Sequence, residues 1–334
     1  MEAKQDPYLS VMVLLGVITA IIFSTSFFSV SELLYPVRID SAYVKQNSQQ
    51  YMAEWSGYDT TTLPQPLFMP DQLNLVYTPF DVYTQDSVLL KGWYFNNPPN
   101  PVNITLLIIH DINESKINYI SHARQFWERG IRVLLIDMRA HGNSGGEKFY
   151  LGVQSPYDVL SILDTIYNLP ETDNVVLFGK GIGAGIALEA AASDHRQQSL
   201  VLQSPYDKLE DYVKSYASNK WGLLNYILYP ISSRNLQRQI GVKITDVQLT
   251  ERIKELENPL MVILGTEDEL ISPQESKKVY VVSPTMDKQI MIVKDAGHDN
   301  IDLVEGETYF NKISIFMVRS FPKQPKKSRF KKLA

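Results

Sequence analysis

Two side chains in the C-terminal part of the chain have the types that an acid–imidazole catalytic pair requires. Asp268 closes the run Gly265-Thr266-Glu267-Asp268, and His298 follows Gly297. A carboxylate can orient an imidazole, and the imidazole can take a proton from a hydroxyl nucleophile. That hydroxyl belongs upstream, in a G-x-S-x-G turn between a strand and a helix. The chain instead reads Gly179-Lys180-Gly181-Ile182-Gly183, so Gly181 holds the nucleophile position and supplies no nucleophile. Two substitutes remain. One is Ser204, in Gln203-Ser204-Pro205-Tyr206 after the next strand; the other is a water activated by His298 and Asp268. The backbone N–H groups of Ile182 and Ile112 are the expected oxyanion donors, and they survive the loss of serine.

Other chemistries fit less well. The chain has no cysteine, which excludes a thiolate nucleophile, a disulfide framework and Cys-ligated metal. Its five histidines show no metal-ligand spacing, so neither a metal nor a cofactor is expected. The glycines from Gly179 to Gly185, with Tyr216 and Lys220 in a Y-x-x-x-K arrangement, invite a dinucleotide reading. Such a fingerprint follows the first strand of its fold, and here several strands precede it. A P-loop fails because no Ser or Thr follows Lys180.

The elements that must position these residues follow from the apolar runs. Leu73–Tyr83 and Ser87–Asn96 predict an antiparallel hairpin across Gln85-Asp86. Short continuous apolar runs come next: 104–109, 131–137, 174–178, 199–203, 260–264 and 289–293. Helical stretches alternate with them, near 119–129, 157–169, up to Ala192, and 300–319. This pattern predicts a mostly parallel sheet covered on both faces, with ligands bound beyond the carboxyl ends of the strands. Residues 206–258 lack strand alternation and predict a small helical lid.

At this point the chain resembles the α/β-hydrolase superfamily, in its membrane-anchored, small-lid branch. Four motifs carry the resemblance, in family order. His110-Asp111 is similar to the His-Gly that opens the oxyanion loop, with Asp111 where glycine is usual. Asp137-Met138-Arg139-Ala140-His141-Gly142-Asn143-Ser144 resembles D-x-R-G-H-G-x-S. Asp268 and His298 match the triad acid and histidine, which follow the elbow in the order Ser…Asp…His. The resemblance implies an α/β-hydrolase fold over 71–321 and an esterase, thioesterase or peptidase ancestry. Its missing serine implies weak or no acyl-hydrolase activity, with a role in binding a small acyl or peptide-like ligand or a partner protein. The alternative is an ester, thioester or amide hydrolase using Ser204 or water. Glycine at the elbow also relieves a strained turn. His110 is expected to brace the oxyanion loop, His141 to pack under the site, and His122 and His195 to lie on helix surfaces. Lys180 is expected to be solvated.

The ends of the chain read differently. Between Asp6 and Glu32 there is no charged residue, and Tyr8–Leu34 is long and apolar enough to be read as one N-terminal transmembrane helix in a lipid bilayer. Lys4 on one side and Arg38 and Lys45 on the other leave its orientation open. Residues 35–70 read as a linker. The tail, 322–334, carries Lys323, Lys326, Lys327, Arg329, Lys331 and Lys332. The 334 residues are 44% hydrophobic and 21% charged, with a net charge of −5, which argues against a nucleic-acid partner.

Overall fold

A computed structural model describes residues 7–29, 31–48, 66–172, 174–194, 196 and 198–321. Eight strands form one sheet in the order β1-β2-β4-β3-β5-β6-β7-β8. They are β1 (Thr78–Tyr83), β2 (Leu89–Phe95), β3 (Ile104–Ile109), β4 (Arg132–Asp137), β5 (Asn174–Lys180), β6 (Gln198–Gln203), β7 (Leu260–Gly265) and β8 (Lys288–Val293). The first pair is an antiparallel hairpin, β2 runs antiparallel to β4, and every other neighbouring pair is parallel. The helices are α1 (Pro7–Ser29), α2 (Ser41–Gln46), α3 (Ile120–Glu128), α4 (Ser155–Tyr167), α5 (Ile182–Ser193), α6 (Leu209–Trp221), α7 (Asn225–Ile240), α8 (Leu249–Arg252), α9 (Pro273–Val282), α10 (Ile301–Glu305) and α11 (Glu307–Ser320).

The period of two in the strands explains the layering. Leu107, Ile109, Leu134, Ile136, Val175 and Leu177 face one buried cluster. Their neighbours Leu106, Ile108, Val133, Leu135, Val176 and Phe178 face the other. Helices therefore cover both faces, and each fully buried Leu, Ile, Val or Phe contributes about 1.5–3 kcal/mol relative to exposure. This is the α/β-hydrolase fold, and it brings the ends of β3, β5, β6, β7 and β8 to one edge.

Four expectations about the elements change. Leu33 and Leu34 are buried, and the Leu34 carbonyl accepts from the Phe149 N–H. The apolar run expected to span a membrane over 8–34 thus ends its helix at Ser29, and its last leucines join the domain core. Among the described residues no helix is long and apolar enough to cross a membrane; the side chains of α1 are described for only part of its length. The segment 35–70 is also more than a linker where it is described. Asp40 caps α2 through the Tyr43 N–H, and Ile39, Val44 and Leu67 are buried against the sheet. Residues 70–73 form a 3₁₀ turn, so the first strand begins at Thr78 rather than Leu73. The last predicted helix is broken at Gly306, whose φ of 58° is a conformation glycine adopts freely. The lid segment is helical through α6 and α7, and the tail from 322 onward lies outside the described residues.

Candidate functional site

The turn after β5 places Gly181 at the sheet edge with φ 54° and ψ −116°. A Cβ on Gly179 would strike the Gly183 carbonyl, and a Cβ on Gly183 would strike the Ile109 carbonyl. Strand and helix can therefore approach this closely only through glycine. A Cβ on Gly181 would overlap the carboxylate of Asp111, deep inside van der Waals distance. Gly181, which has no side chain, and the Asp111 carboxylate, which stands where its Cβ would be, thus share one space. The volume that an elbow side chain would need is filled from the neighbouring loop.

The Asp111 carboxylate is fully engaged. Its Oδ1 accepts from the Ile112 N–H at 2.7 Å and the Ile182 N–H at 2.9 Å, with the Tyr212 hydroxyl at 3.5 Å. Both N–H groups expected to hold an oxyanion therefore point at the same oxygen, and that oxygen belongs to the protein. Asp111 Oδ2 lies 2.8 Å from His298 Nε2, and His298 Nδ1 lies 2.9 Å from Asp268 Oδ2. Asp268 is held in turn by the Ser204 hydroxyl at 2.8 Å and by the Leu270 and Ile271 N–H groups at 3.0 and 2.8 Å. The result is a closed chain of hydroxyl, carboxylate, imidazole and carboxylate.

Electrostatics fix its protonation. Burial alone would lower the His298 pKa. The charge of Asp268 and the hydrogen bonds from Asp111 and Asp268 override it and push the imidazole up to about 10. Both ring nitrogens then donate. For Asp268, burial acts to raise its pKa, but the charge and hydrogen bond of His298 hold it below the usual carboxylate value.

The structure brings Gly181, Asp268, His298, Ile112 and Ile182 together. It places Ser204 differently from the sequence expectation of a substitute nucleophile. Ser204 is fully buried at φ 47°, and its hydroxyl is given to Asp268, while His298 Nε2 faces Asp111 instead.

Lys180 also departs from expectation. It is buried rather than solvated, 2.5 Å from Glu114 and 2.6 Å from Asp299. Burial would lower its pKa, but Asp299 and Glu114 raise it well above the ordinary value, and Lys180 in turn holds Asp299 down at about 2. Glu114 further accepts from the Tyr119 hydroxyl at 2.6 Å and the Asp111 N–H at 3.1 Å. The cation beside the elbow therefore locks the loop that carries Asp111. Breaking a buried pair by removing one partner costs about 3–5 kcal/mol. Lys180→Met is expected to lose that much, read as a lowered denaturation midpoint, because two carboxylates stay behind without their cation.

The remaining histidines fall into place. His110 Nε2 accepts from the Met138 N–H at 3.0 Å, so Nδ1 carries the proton and donates to the Asp111 carbonyl at 2.7 Å. Burial lowers the His110 pKa and keeps this brace neutral. His141 packs edge-on to His110 and Phe149, as expected of a residue under the site. His122 is buried among Tyr119, Tyr309 and Phe310 rather than on a helix surface, because α11 covers that face of α3. His195 lies outside the described residues. In the Y-x-x-x-K arrangement, Tyr216 donates to Glu32 at 2.8 Å and Lys220 pairs with Glu32 at 2.6 Å, so both fasten the lid to the N-terminal segment.

Above the Asp111–His298 contact lies a cavity of about 240 Å³ that includes Tyr43, Asn113, Tyr212 and Tyr216 in its wall. It shares Tyr216, Leu270, His298 and Asp299 with a second hollow of about 500 Å³ reaching Asn219 and Lys220 on the lid. Sequence reasoning noticed Asp111 only as an anomaly. Its pairing with the anomaly at 181 was the available signal, and Glu114, Asp299 and Tyr212 gave none.

Comparison with known proteins agrees with the architecture. Residues 100–237 match the family described as serine aminopeptidase, S33. An uncharacterized protein of Mycobacterium tuberculosis (strain H37Rv) is 23% identical over 72% of this chain and 78% of its own length. An uncharacterized membrane protein of Saccharomyces cerevisiae is 21% identical over 75% of this chain and 82% of its own. Among solved structures, the Pyrococcus furiosus esterase Pf2001 superposes with a TM-score of 0.63 at 21% identity, covering 75% of this chain and 94% of that one. The sheet order, the tight turn after β5 and the acid and histidine beyond β7 and β8 agree with these similarities, and the chain has the α/β-hydrolase fold.

Proposed function

We propose that this chain is a membrane-attached α/β-hydrolase-fold protein that does not turn over acyl substrates by serine chemistry, and that it acts by binding a small acyl or peptide-like ligand, or a partner protein, at the cavity over His298. One observation carries the proposal. The oxyanion hole is already filled by the Asp111 carboxylate, hydrogen-bonded to the Ile112 and Ile182 N–H groups. An acyl oxyanion must take both donors to be stabilised, and here a fixed negative charge stands in its place. A general base must also be free of its proton at working pH, whereas His298 is pushed up to about 10. The Ser204 hydroxyl is buried against Asp268, so nothing in the geometry favours it as an attacking group.

Membrane attachment rests on α1. Its 23 residues contain no Asp, Glu, Lys or Arg, and Val11, Met12, Val13, Leu14, Leu15 and Val17 are exposed. The yeast relative is likewise named a membrane protein.

A fluorophosphonate probe tests the catalytic half of the proposal. The natural chain is expected to remain unlabelled under conditions that label an esterase control completely. Stoichiometric labelling at Ser204 would replace this reading with that of a working hydrolase.

A further inference from the structure

The lid carries an apolar surface that the cavity does not use. Between α6 and α7 the chain turns at Gly222, φ 52°, and presents Leu223, Leu224, Tyr226 and Ile227 outward. Leu223 and Tyr226 are 85% and 84% exposed, and Leu224 and Ile227 are more than half exposed. Four large apolar side chains within five positions of a helical turn are an uncommon feature of a surface facing only water. Trp221 and Tyr229 flank them, as do Lys214 and Lys220, whose side chains are partly exposed. Aromatic residues and lysines bordering an apolar tip are the composition of a membrane–water boundary.

The position of the tip makes the same point. Helix α1, which has no charged residue and exposes Val11 to Leu15 and Val17, packs on α7, the helix that begins at this tip. The N-terminal helix and the lid helix are thus neighbours, and each carries exposed apolar side chains.

Resting on the reading of α1 as the membrane attachment, we propose that the lid tip, Leu223 to Ile227, is a second membrane contact that dips into the lipid bilayer beside α1. The lid is then held between the domain and the lipid. The cavity mouth at Tyr216, Asn219 and Lys220 lies on α6, within two helical turns of the tip. A ligand of the cavity would enter at headgroup level, which favours amphipathic molecules delivered from the bilayer. Lys220, already paired with Glu32, ties the lid to the segment that follows α1 and keeps the two contacts in register.

The chain has no cysteine, so single cysteines report without background. The full chain would be prepared as four variants: Leu224→Cys and Ile227→Cys in the tip, Leu14→Cys in α1, and Met286→Cys. Met286 is 98% exposed, just before β8. Each is labelled with an environment-sensitive nitrobenzoxadiazole dye and reconstituted in phosphatidylcholine–phosphatidylserine vesicles, with and without doxyl-labelled lipid. The expected result is blue-shifted emission, quenched by doxyl lipid, at 14, 224 and 227, with neither effect at 286. Quenching at 14 without quenching at 224 and 227 overturns the lid contact and leaves α1 as the attachment. No quenching at 14, 224 or 227 overturns both. Tip labels shielded from a water-soluble quencher yet untouched by doxyl lipid would mean that protein covers the tip, and would also overturn the proposal. Equal quenching at 286 and 224 would mean non-specific adsorption and overturn it as well.

Discussion

Gly181→Ser on its own is expected to yield no esterase, while Gly181→Ser combined with Asp111→Gly is expected to yield one. The serine Cβ would collide with the Asp111 carboxylate, and residue 181 holds φ at 54°, where a non-glycine residue costs about 1–3 kcal/mol. The single variant therefore pays both costs and gains nothing, because Asp111 still fills the oxyanion hole and still holds His298 protonated. Removing the carboxylate frees the Ile112 and Ile182 N–H groups, opens room for the hydroxyl, and leaves His298 with Asp268 alone. Loss of a triad nucleophile costs a hydrolase on the order of 10⁶ in turnover. The double variant is expected to exceed the natural chain by at least about 10³-fold on short p-nitrophenyl esters, with fluorophosphonate labelling appearing at position 181. A single variant as active as the double would show that Asp111 swings aside at little cost. Two inactive but folded variants would show that the donors and histidine are not assembled for acyl transfer.

The second large effect is on stability. His298 is raised from 6.5 to about 10 in the folded chain. A group whose folded pKa is raised stabilises fully below its unfolded value, and that contribution is lost as pH climbs through the folded value. The denaturation midpoint should thus fall between about pH 6.5 and pH 10. Asp268 is shifted the other way, so its contribution is present above its ordinary value and is lost as pH falls. Asp111→Asn removes one of the two carboxylates facing the buried imidazolium. Unpairing a buried charge costs about 3–5 kcal/mol. The variant should lose stability on that order at neutral pH, and its high-pH loss should begin at lower pH than in the natural chain. Denaturant titrations across pH measure the first effect, and ring-proton NMR of His298 measures the second. An unchanged His298 titration in Asp111→Asn would dismiss the carboxylate–imidazole–carboxylate account.

Much of the fold was legible because it is encoded locally. Continuous apolar runs of five to seven residues, alternating with helical stretches, read as buried strands of a parallel sheet, and all six strands from β3 to β8 lie where those runs are. Asp268, His298, Ile112 and Ile182 were legible because strand ends and a glycine turn fix where they must meet. The lid was legible as helix by its lack of strand alternation. The fate of single polar side chains was not. Lys180 and His122 look like surface residues in sequence, since nothing nearby in the chain pairs with or covers them. Glu114, Asp299 and α11 do so from far along it.

Taken alone, the sequence determined the alternation of strands and helices, the glycine-rich turn after β5, and the apolar character of the N-terminal helix. All three are properties of residue type and period. Only the tertiary structure decided what lies against Gly181. Asp111 and Gly181 stand on the loops after β3 and β5, and whether a carboxylate on one reaches the void on the other depends on strand pairing. The parallel register that sets Ile109 beside Gly179 puts them face to face. Coulombic and steric effects act through space, so an imidazole caught between two carboxylates can be seen only once the sheet has brought its strand ends together.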